Sequence, residues 1–150
     1  MVFVSVRGRI WLQAEAANMV ESIGNYVKHR RVPIMVRERD SWLTFFVPAI
    51  SGESVAHNYQ TLLAEELKRN NDVCKYCEKG IFLKNTNAEV YEEVMGKSPP
   101  KSEKKDQLEA EEEIEKSIIN KCGVEDVGGF LYAGQPNVKR TSGFSTGYLI

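Results

Sequence analysis

Cysteine is scarce in this sequence, and its number is odd. Three Cys in 150 residues do not suit the disulfide framework of a small secreted protein. Long hydrophobic runs are also missing, since no apolar stretch approaches the roughly 20 residues that cross a bilayer. The opening residues, MVFVSVRGRIWLQ, lack the charged-then-apolar order and the small-residue cleavage site of a signal peptide. We therefore expect a cytoplasmic protein with no membrane partner.

Common signatures of catalysis are missing as well. The sequence has no second Cys pair, no paired carboxylate motif and no Gly-rich phosphate loop of the P-loop or Rossmann type. Glu53 and His57 are four residues apart, a spacing compatible with acid–base chemistry, but nothing places a Ser, a His and an acid together. We interpret these two residues as a polar helix face and expect no enzymatic activity.

Net charge is almost balanced, at −1, but it is unevenly distributed. Residues 1–69 carry nine Lys/Arg against seven Asp/Glu, residues 70–127 carry nine against fourteen, and residues 128–150 carry two against none. The segment NYVKHRRVPIMVRERD, residues 25–40, contains five Lys/Arg and one His. Two mildly basic blocks around an acidic middle are typical of a polyanion-binding core with a solvated insertion.

Hydrophobic periodicity predicts several elements in the first part of the chain. Residues 2–12 alternate with period two, which predicts a strand with an aliphatic core face. The alanines of residues 13–31 favour a short helix that ends at Gly24. VPIMVR and WLTFFV predict a hairpin around a loop of four or more residues, ERDS. Ser51 is a good N-cap for a following helix. The apolar positions of that helix are Val55, Tyr59, Leu62, Leu63 and Leu67.

The remaining chain predicts an insertion and a return to extended structure. Residues 70–127 contain a turn-rich Cys-x-x-Cys segment, a proline-containing polar loop and a charged helix with few apolar positions. VGGFLYAG and VKRTSGFSTGYLI predict two extended segments around a Gly-Gln-Pro-Asn turn. The predicted organisation is a core of residues 1–69 and 128–150 with an insertion at 70–127.

Cys74 and Cys77 form the most conspicuous short motif. Their spacing occurs in zinc sites and in redox pairs. Zinc needs four ligands, and the sequence offers only Cys122 and two His besides this pair. A redox motif is expected between a strand and a helix, whereas this one follows a long predicted helix. We favour a loop pair, reduced or disulfide-linked, and expect no metal and no cofactor; a metal- or redox-linked protein built on Cys74 and Cys77 stays open as an alternative.

Basic and aromatic side chains form a broader set of candidates. The set comprises Arg7, Arg9, Trp11, Lys28, His29, Arg30, Arg31, Lys139 and Arg140. Ser51 and Gly52 open the predicted helix, where free backbone N–H groups can bind a phosphate. Cations for phosphates and rings for stacking are what single-stranded nucleic acid requires. Basic clusters also occur on ordinary solvated surfaces, so the composition alone leaves both interpretations open.

Several segments resemble the archaeal CRISPR-associated autoregulator (DevR-type) family. These segments are VESIGNYVKHRRVPI, FVPAISGESVAHNYQTLLAEELK, CKYCEKGIF, VEDVGGFLYAG and NVKRTSGFSTGYLI. They follow the family's order, and the resemblance runs along nearly all of the chain, weakening only in the acidic stretch 97–117. The resemblance implies the repeated backbone subunit of a type I-A Cascade complex in antiviral defence. It also implies an α+β fold with an RRM-like (ferredoxin-like) core and a helical filament along the CRISPR RNA.

The resemblance further implies which residues contact RNA. They lie in the segment from Asn25 to Arg31, on the helix after Ser51 and in a basic motif beside the last strand. The implied residues are Asn25, Lys28, His29, Arg30, Arg31, Ser51, Gly52, Glu53, His57, Gln60, Lys139, Arg140 and Thr141. The basic segment would then neutralise the phosphates of the guide RNA, and neighbouring copies of the subunit would repeat this contact. The resemblance also implies that the subunit is not a nuclease.

Members of that family are about twice as long as this chain. The resemblance therefore implies that the chain corresponds to an N-terminal half whose RRM-like core is incomplete. The implied partners are CRISPR RNA, target single-stranded DNA, copies of the chain, other Cascade subunits and a second chain that completes the fold. An interaction protein that assembles through an open sheet edge and binds no RNA remains a further alternative.

Overall fold

Helices and short antiparallel strands are mixed along the chain, which is compatible with the predicted α+β class, while the RRM-like core stays a prediction. The computed structural model describes residues 3–11, 13, 19–23, 26–100 and 107–150, with the backbone alone for 19–23 and 26–28. The elements are β1 (Met19–Ile23), β2 (Tyr26–His29), β3 (Arg31–Glu38), β4 (Ser41–Pro48), α1 (Gly52–Lys68), α2 (Ala88–Met95), α3 (Gln107–Lys121), α4 (Gly123–Gly128), β5 (Phe130–Tyr132) and β6 (Val138–Arg140).

The strands form three separate two-stranded antiparallel sheets: β1 with β2, β3 with β4, and β5 with β6. The chain divides into two compact units. The first consists of Met1–Gly52 with Gly147–Ile150, and the second consists of Glu53–Thr146. The division predicted from the sequence, with an insertion at 70–127, stays a prediction.

The β3–β4 hairpin confirms the hairpin predicted from the sequence, but its loop is shorter. Glu38 pairs with Ser41, so the loop consists of Arg39 and Asp40 rather than four residues. Arg39 adopts a left-handed conformation with φ 53°, which two-residue hairpin turns require. The Ser41 hydroxyl donates to the Glu38 carbonyl at 3.2 Å, which holds the two strand ends together.

The strand predicted for residues 2–12 is wrong for residues 3–11, which belong to no strand. These residues are exposed, and Val4 and Val6 of the expected core face are 75% and 88% exposed. Alternation makes a segment suitable for a strand, but the strand also needs a neighbour that pairs its backbone N–H and C=O groups. No strand of the described residues pairs with residues 3–11.

The helix predicted within residues 13–31 is also wrong where the structure describes it. β1 and β2 form a hairpin in which Met19 is opposite His29 and Ile23 is opposite Tyr26. The β-branched and aromatic residues of this stretch favour strands and outweigh the alanines that suggested a helix. Those alanines and Gly24 lie outside the described residues.

α1 confirms the predicted helix, but its buried face differs from the predicted one. Gln60 and Ala64 are the buried residues, whereas Tyr59 and Leu62 of the predicted apolar face are exposed. Leu63 and Leu67 pack as half-buried side chains against the core. The helix therefore approaches the core through a small alanine and carries a buried amide beside it.

Two apolar clusters form the core of the second unit. One consists of Ala64, Cys74, Cys77, Val94, Cys122 and Val124. The other consists of Tyr91, Ile114, Ile118, Phe130, Tyr132 and Val138. The charged helix α3 contributes Ala110, Ile114 and Ile118, whose four-residue spacing lines one helix face.

The β5–β6 hairpin confirms the predicted pair of extended segments around residues 130–140. Phe130 is opposite Arg140, and Tyr132 is opposite Val138. The second predicted segment continues only as a single bridge further on, where Ile50 and Leu149 exchange backbone hydrogen bonds of 3.0 and 3.1 Å. No helix among the described residues is long and apolar enough to cross a membrane.

Candidate nucleic-acid interface and cysteine cluster

One face of the β3–β4 hairpin is exposed along its whole length. Residues that lie opposite one another in an antiparallel pair point to the same face. The exposed face consists of Arg31, Pro33, Met35, Arg37, Trp42, Thr44, Phe46 and Pro48. The other face contains Val32, Ile34 and Val47, which are half-buried, and Val36, Leu43 and Phe45, which are exposed. The two faces therefore differ in burial only near the end of the hairpin that contains Val32 and Val47.

Four side chains of the exposed face have the chemistry that single-stranded nucleic acid requires, and we call them the aromatic–basic face: Arg31, Arg37, Trp42 and Phe46. Trp42 and Phe46 are 64% and 65% exposed. At the usual strand rise they stand about 13 Å apart, which leaves both rings open for stacking. Among the described residues, neither Arg31 nor Arg37 forms an ion pair with a carboxylate.

Sequence reasoning assigned Arg31 to an RNA contact but missed Arg37, Trp42 and Phe46. These residues could have been found from the hairpin itself. With the two-residue turn, Arg37 falls opposite Trp42 and Pro33 opposite Phe46, which collects the basic and aromatic positions on one face. The predicted loop ERDS gives the same register, because it also places Arg37 opposite Trp42. The face was therefore derivable from the predicted hairpin and was missed because the two strands were not compared residue by residue.

The basic segment predicted to contact RNA leads into this hairpin. His29 ends β2 and Arg30 joins β2 to β3; both are half-buried. His29 Nδ1 and Arg30 Nε are buried atoms without a hydrogen-bond partner among the described residues. A buried polar atom left unpaired costs roughly 1–3 kcal/mol, so the Arg30 N–H suits an added acceptor such as a phosphate oxygen. Of the other predicted residues, Asn25 lies outside the described part of the chain and Lys28 is described by its backbone alone.

The residues predicted on α1 fall into both units. Ser51 is buried and Gly52 is half-buried, and both belong to the first unit. Glu53 and His57 are exposed in the second unit. The His57 ring packs edge-on against Phe82 with 5.2 Å between ring centroids. That contact fixes the imidazole orientation and leaves the rest of its ring on the surface.

Gln60 is buried rather than exposed on α1. Its Nε2 donates to the Ala56 carbonyl at 3.2 Å, and its Oε1 has no partner among the described residues. A Cβ added at Gly128 would lie 2.7 Å from that oxygen. Gln60 therefore packs against the glycine-containing end of α4, below the surface to which Glu53 and His57 belong.

The basic motif around β6 contains two different kinds of residue. Lys139 and Thr141 are exposed, and Lys139 lies opposite the exposed Leu131. Arg140 instead donates from Nη1 to Glu115 at 2.9 Å and from Nε to the Asp126 carbonyl at 3.1 Å. Its Nη2 also pairs with the Asp126 carboxylate. Arg140 is thus engaged in joining β6 to α3 and α4.

A second cluster of reactive side chains lies in the core of the second unit. The structure brings Cys74 and Cys77 together with Cys122 and Glu125, and the four ligand atoms lie within 4.8 Å of one another. Each of the four residues is at most 1% exposed. In the structure the three cysteines are not joined by disulfides. Sequence reasoning considered Cys122 as a fourth-ligand candidate but missed Glu125.

Local structure explains how the four side chains converge. Cys74 and Cys77 flank a tight turn in which the Cys77 N–H donates to the Cys74 sulfur at 3.5 Å. Cys122 precedes the first residue of α4. The Glu125 N–H donates to the Cys122 carbonyl at 3.0 Å, and Gly123 N–H donates to the Asp72 carbonyl at 3.1 Å. That last bond docks the start of α4 beside the Cys-x-x-Cys turn.

Close packing shifts the pKa values of Cys77, Cys122 and Glu125. Hydrogen bonds with Cys74 and Cys77 lower the pKa of Cys122 to about 3, and the hydrogen bond with Cys122 contributes most to raising the pKa of Cys77 well above its usual range. Burial raises the pKa of Glu125 to about 8, against hydrogen bonding from Asn85, which lowers it.

Asn85 holds the Glu125 carboxylate in place. Its Nδ2 lies 2.8 Å from each carboxylate oxygen, and the residue is fully buried. Lys84 and Asn85 both have positive φ, 57° and 46°, as in a tight turn of the I′ kind. The turn directs the asparagine amide inward, while the Lys84 ammonium donates to the Gly128 carbonyl at 3.0 Å.

Comparison with known proteins identifies the family. Residues 6–150 match the family described as CRISPR-associated negative auto-regulator DevR/Csa2. A CRISPR-associated protein Cas7/Csa2 1 and a CRISPR-associated aCascade subunit Cas7/Csa2 2, both of Saccharolobus solfataricus, are 37% and 36% identical over 99% and 95% of this chain. A CRISPR-associated protein Cas7/Cst2/DevR of Methanocaldococcus jannaschii is 27% identical over 99% of it. The chain spans 44%, 43% and 44% of the length of these relatives. As the resemblance implied, the chain belongs to the DevR/Csa2 family of CRISPR-associated proteins.

Proposed function

We propose that this chain binds guide RNA as part of the repeated backbone subunit of a Cascade complex in CRISPR defence. Family membership supports the proposal, as does the name aCascade subunit carried by one relative. The observation that carries it is the aromatic–basic face of the β3–β4 hairpin. Exposed rings and unpaired guanidinium groups on one strand face form a binding surface for single-stranded nucleic acid.

The proposed mechanism is phosphate neutralisation combined with stacking. Arg31 and Arg37 contact guide phosphates, and Trp42 and Phe46 stack on bases. Both interactions are independent of base identity, because every nucleotide has a phosphate and a planar base. A subunit that must accept any guide sequence needs such a surface. No bond is made or broken in this role, and we propose that the chain is not an enzyme.

The predicted basic segment extends the same surface. Arg30 lies next to Arg31, and its buried Nε lacks an acceptor among the described residues. A phosphate oxygen placed there satisfies that donor, with a charge-assisted hydrogen bond. We propose that Asn25, Lys28 and His29 complete this phosphate contact, as the family resemblance implies.

The second unit contributes a separate set of proposed contacts. Lys139 and Thr141 are exposed beside β6, and Glu53 and His57 are exposed on α1; we propose that they contact the RNA backbone. The resemblance places Ser51 and Gly52 in the same helix-start contact. Arg140 and Gln60 act as positioning residues, since the first joins β6 to α3 and α4 and the second is buried.

Assembly is the remaining part of the proposal. The rest of a longer subunit, or a second chain, completes an RRM-like core, and copies of the subunit line up along one CRISPR RNA with other Cascade subunits. Target single-stranded DNA then pairs with the exposed guide bases. Binding of guide RNA places the proposed site of action in the cytoplasm.

RNA binding can be measured by fluorescence anisotropy with a labelled single-stranded RNA of several tens of nucleotides, at low and physiological salt. We expect length-dependent binding that weakens with salt. The decisive variant is Phe46→Ala, because stacking is worth about 1–3 kcal/mol per base. Phe45→Ala is the matched control, since Phe45 is the neighbouring ring on the opposite face of the hairpin.

The two variants separate the possible outcomes. Loss of affinity in Phe46→Ala with near-normal affinity in Phe45→Ala supports the proposed face. Equal losses would mean that the hairpin as a whole is disturbed, and circular dichroism of both variants checks this. A chain that self-associates in size exclusion but binds no RNA at either salt concentration would overturn the proposal and favour the interaction protein without RNA binding.

A further inference from the structure

Two short segments distant in sequence supply four soft or anionic ligands with the same spacing. Cys74 and Cys77 are separated by two residues, and so are Cys122 and Glu125. In each pair a single turn of the backbone brings the two side chains to the same side of their segment. Structural zinc sites are commonly assembled from two such pairs of thiolate or imidazole ligands, and Asp and Glu oxygens also bind zinc.

The four donor atoms lie close enough together to bind one ion. The Cys74 sulfur and Glu125 Oε1 lie 3.5 Å apart, and all four atoms lie within 4.8 Å of each other. Ligands at the usual Zn–S distance of about 2.3 Å are separated by about 3.8 Å along the edge of a tetrahedron. Small rotamer adjustments therefore bring the set to zinc coordination.

The burial of Glu125 argues against a cluster of purely apolar cysteines. Free Cys often packs as a small hydrophobic residue, and the three thiols do lie in an apolar cluster with Val94 and Val124. A carboxyl group that is 1% exposed is not a small hydrophobic residue and needs polar partners. Three sulfurs surround it together with the Asn85 amide, and this donor set is one that a thiophilic cation can bind.

Outer contacts also suit a metal site. Metal-bound carboxylates are generally held by further hydrogen bonds that orient them. Asn85 supplies such a contact, with its amide nitrogen 2.8 Å from each Glu125 oxygen. The Cys77 N–H directed at the Cys74 sulfur is a second contact that holds a donor atom of the set in place.

We propose that Cys74, Cys77, Cys122 and Glu125 bind a structural Zn²⁺ ion. Thiolates select zinc over harder divalent ions, and four protein ligands in a closed site leave no position for a substrate. The ion would connect the turn after α1 to the start of α4, between residues 51 positions apart in the sequence. It would thereby stabilise the packing of α4 beside the turn after α1 within the second unit. This structural role does not depend on nucleic-acid binding by the first unit.

Metal content and cobalt spectroscopy test this proposal directly. The chain is produced in zinc-supplemented medium, and zinc is measured by inductively coupled plasma mass spectrometry; we expect about one ion per chain. Co²⁺ added to the metal-free chain should give sulfur-to-cobalt charge-transfer bands and the intense visible bands of a tetrahedral complex. Removing the ion with a chelator should lower the Tm by about 10 °C or more.

Variants of Glu125 test the fourth ligand. Glu125→Gln should reduce zinc affinity at least tenfold, whereas Glu109→Gln, at an exposed position of α3, should leave it unchanged. Glu125→Cys should retain the metal and strengthen the charge-transfer band, because a fourth thiolate joins the ion. An unchanged Co²⁺ spectrum in Glu125→Cys would remove Glu125 from the proposed ligand set.

A folding control separates loss of metal from loss of structure. Cys122→Ala and Val124→Ala both truncate a fully buried side chain, so both should destabilise the chain, but only Cys122→Ala should lose zinc. A folded wild-type chain without bound zinc and without Co²⁺ bands would overturn the proposal. A disulfide among the three cysteines in the protein as purified, seen by intact mass, would do so too.

Discussion

Arg37 lies directly opposite Trp42 in the β3–β4 pairing, so a guanidinium and an indole leave the same exposed strand face side by side. The two side chains offer different interactions to RNA, one ionic and one through stacking. Removing one or the other side chain should therefore change a different property of RNA binding. A phosphate contact contributes to the salt dependence of binding, whereas stacking contributes to affinity at every salt concentration.

Arg37→Gln should lower RNA affinity several-fold and flatten the plot of log affinity against log salt by about 0.7, the value for one phosphate on a single strand. Trp42→Ala should instead lower affinity by about 1–3 kcal/mol with little change in slope. Anisotropy titrations at four or five salt concentrations measure both quantities. Lys97→Gln is the charge-matched control, because Lys97 pairs with Glu113 in the other unit. If its slope fell as much as that of Arg37→Gln, net charge rather than the hairpin would account for the effect.

Lys139 and Arg140 are adjacent in sequence, but Lys139 is exposed whereas Arg140 is hydrogen-bonded to Glu115 and Asp126. Arg140→Ala removes hydrogen bonds to Glu115 and Asp126 and should lower the free energy of unfolding by about 1–2 kcal/mol, since these pairs are partly exposed. Lys139→Ala should leave stability within about 0.5 kcal/mol and weaken RNA binding. Urea denaturation followed by circular dichroism gives the first quantity. Equal stability of the two variants would contradict the positioning role of Arg140.

The sequence was a good guide to most local structure, although it predicted a helix where the β1–β2 hairpin forms. The β3–β4 and β5–β6 hairpins and the helix α1 follow from runs of residues and turns that lie next to each other. Residues 3–11 show the limit of this reasoning. Their alternation is as regular as that of any strand, but a strand requires a distant partner, and periodicity contains no information about where that partner lies.

The candidate sites show the same division between local and distant information. The basic segment from Lys28 to Arg31 is visible as a run of charges. The aromatic–basic face follows from pairing the two strands of the β3–β4 hairpin, in which Arg37 lies opposite Trp42; inspection of each strand by itself does not reveal it. Cys122 and Glu125 were separated from the Cys-x-x-Cys pair by two helices, and a glutamate three residues after a cysteine is too common to be noticed as a ligand pair.

Gly129 joins α4 to β5 in a conformation that only glycine adopts readily. Its φ and ψ are 69° and 164°, and an added Cβ would lie 2.6 Å from the Arg140 carbonyl oxygen. Gly129→Ala should therefore lower the free energy of unfolding by roughly 2–4 kcal/mol, from backbone strain and displacement of β6. Gly8→Ala is the control, since nothing lies within 4 Å of a Cβ at that position. A Gly129→Ala chain as stable as Gly8→Ala in urea would contradict the close packing of β6 on this turn.

Asn85 provides a test of the proposed zinc site that leaves its four ligands intact. Asn85→Gly removes the amide that contacts both Glu125 oxygens, and glycine tolerates the φ of 46° found there. Loss of an outer contact to a metal ligand typically lowers metal affinity 10- to 100-fold, measured here by competition with a chromophoric chelator. Asn87→Ala is the control two residues away. It removes the side chain that caps α2 through the Val90 N–H and should cost about 1 kcal/mol of stability without changing zinc affinity. Equal zinc affinity in both variants would mean that Asn85 serves the fold of the turn and not the metal.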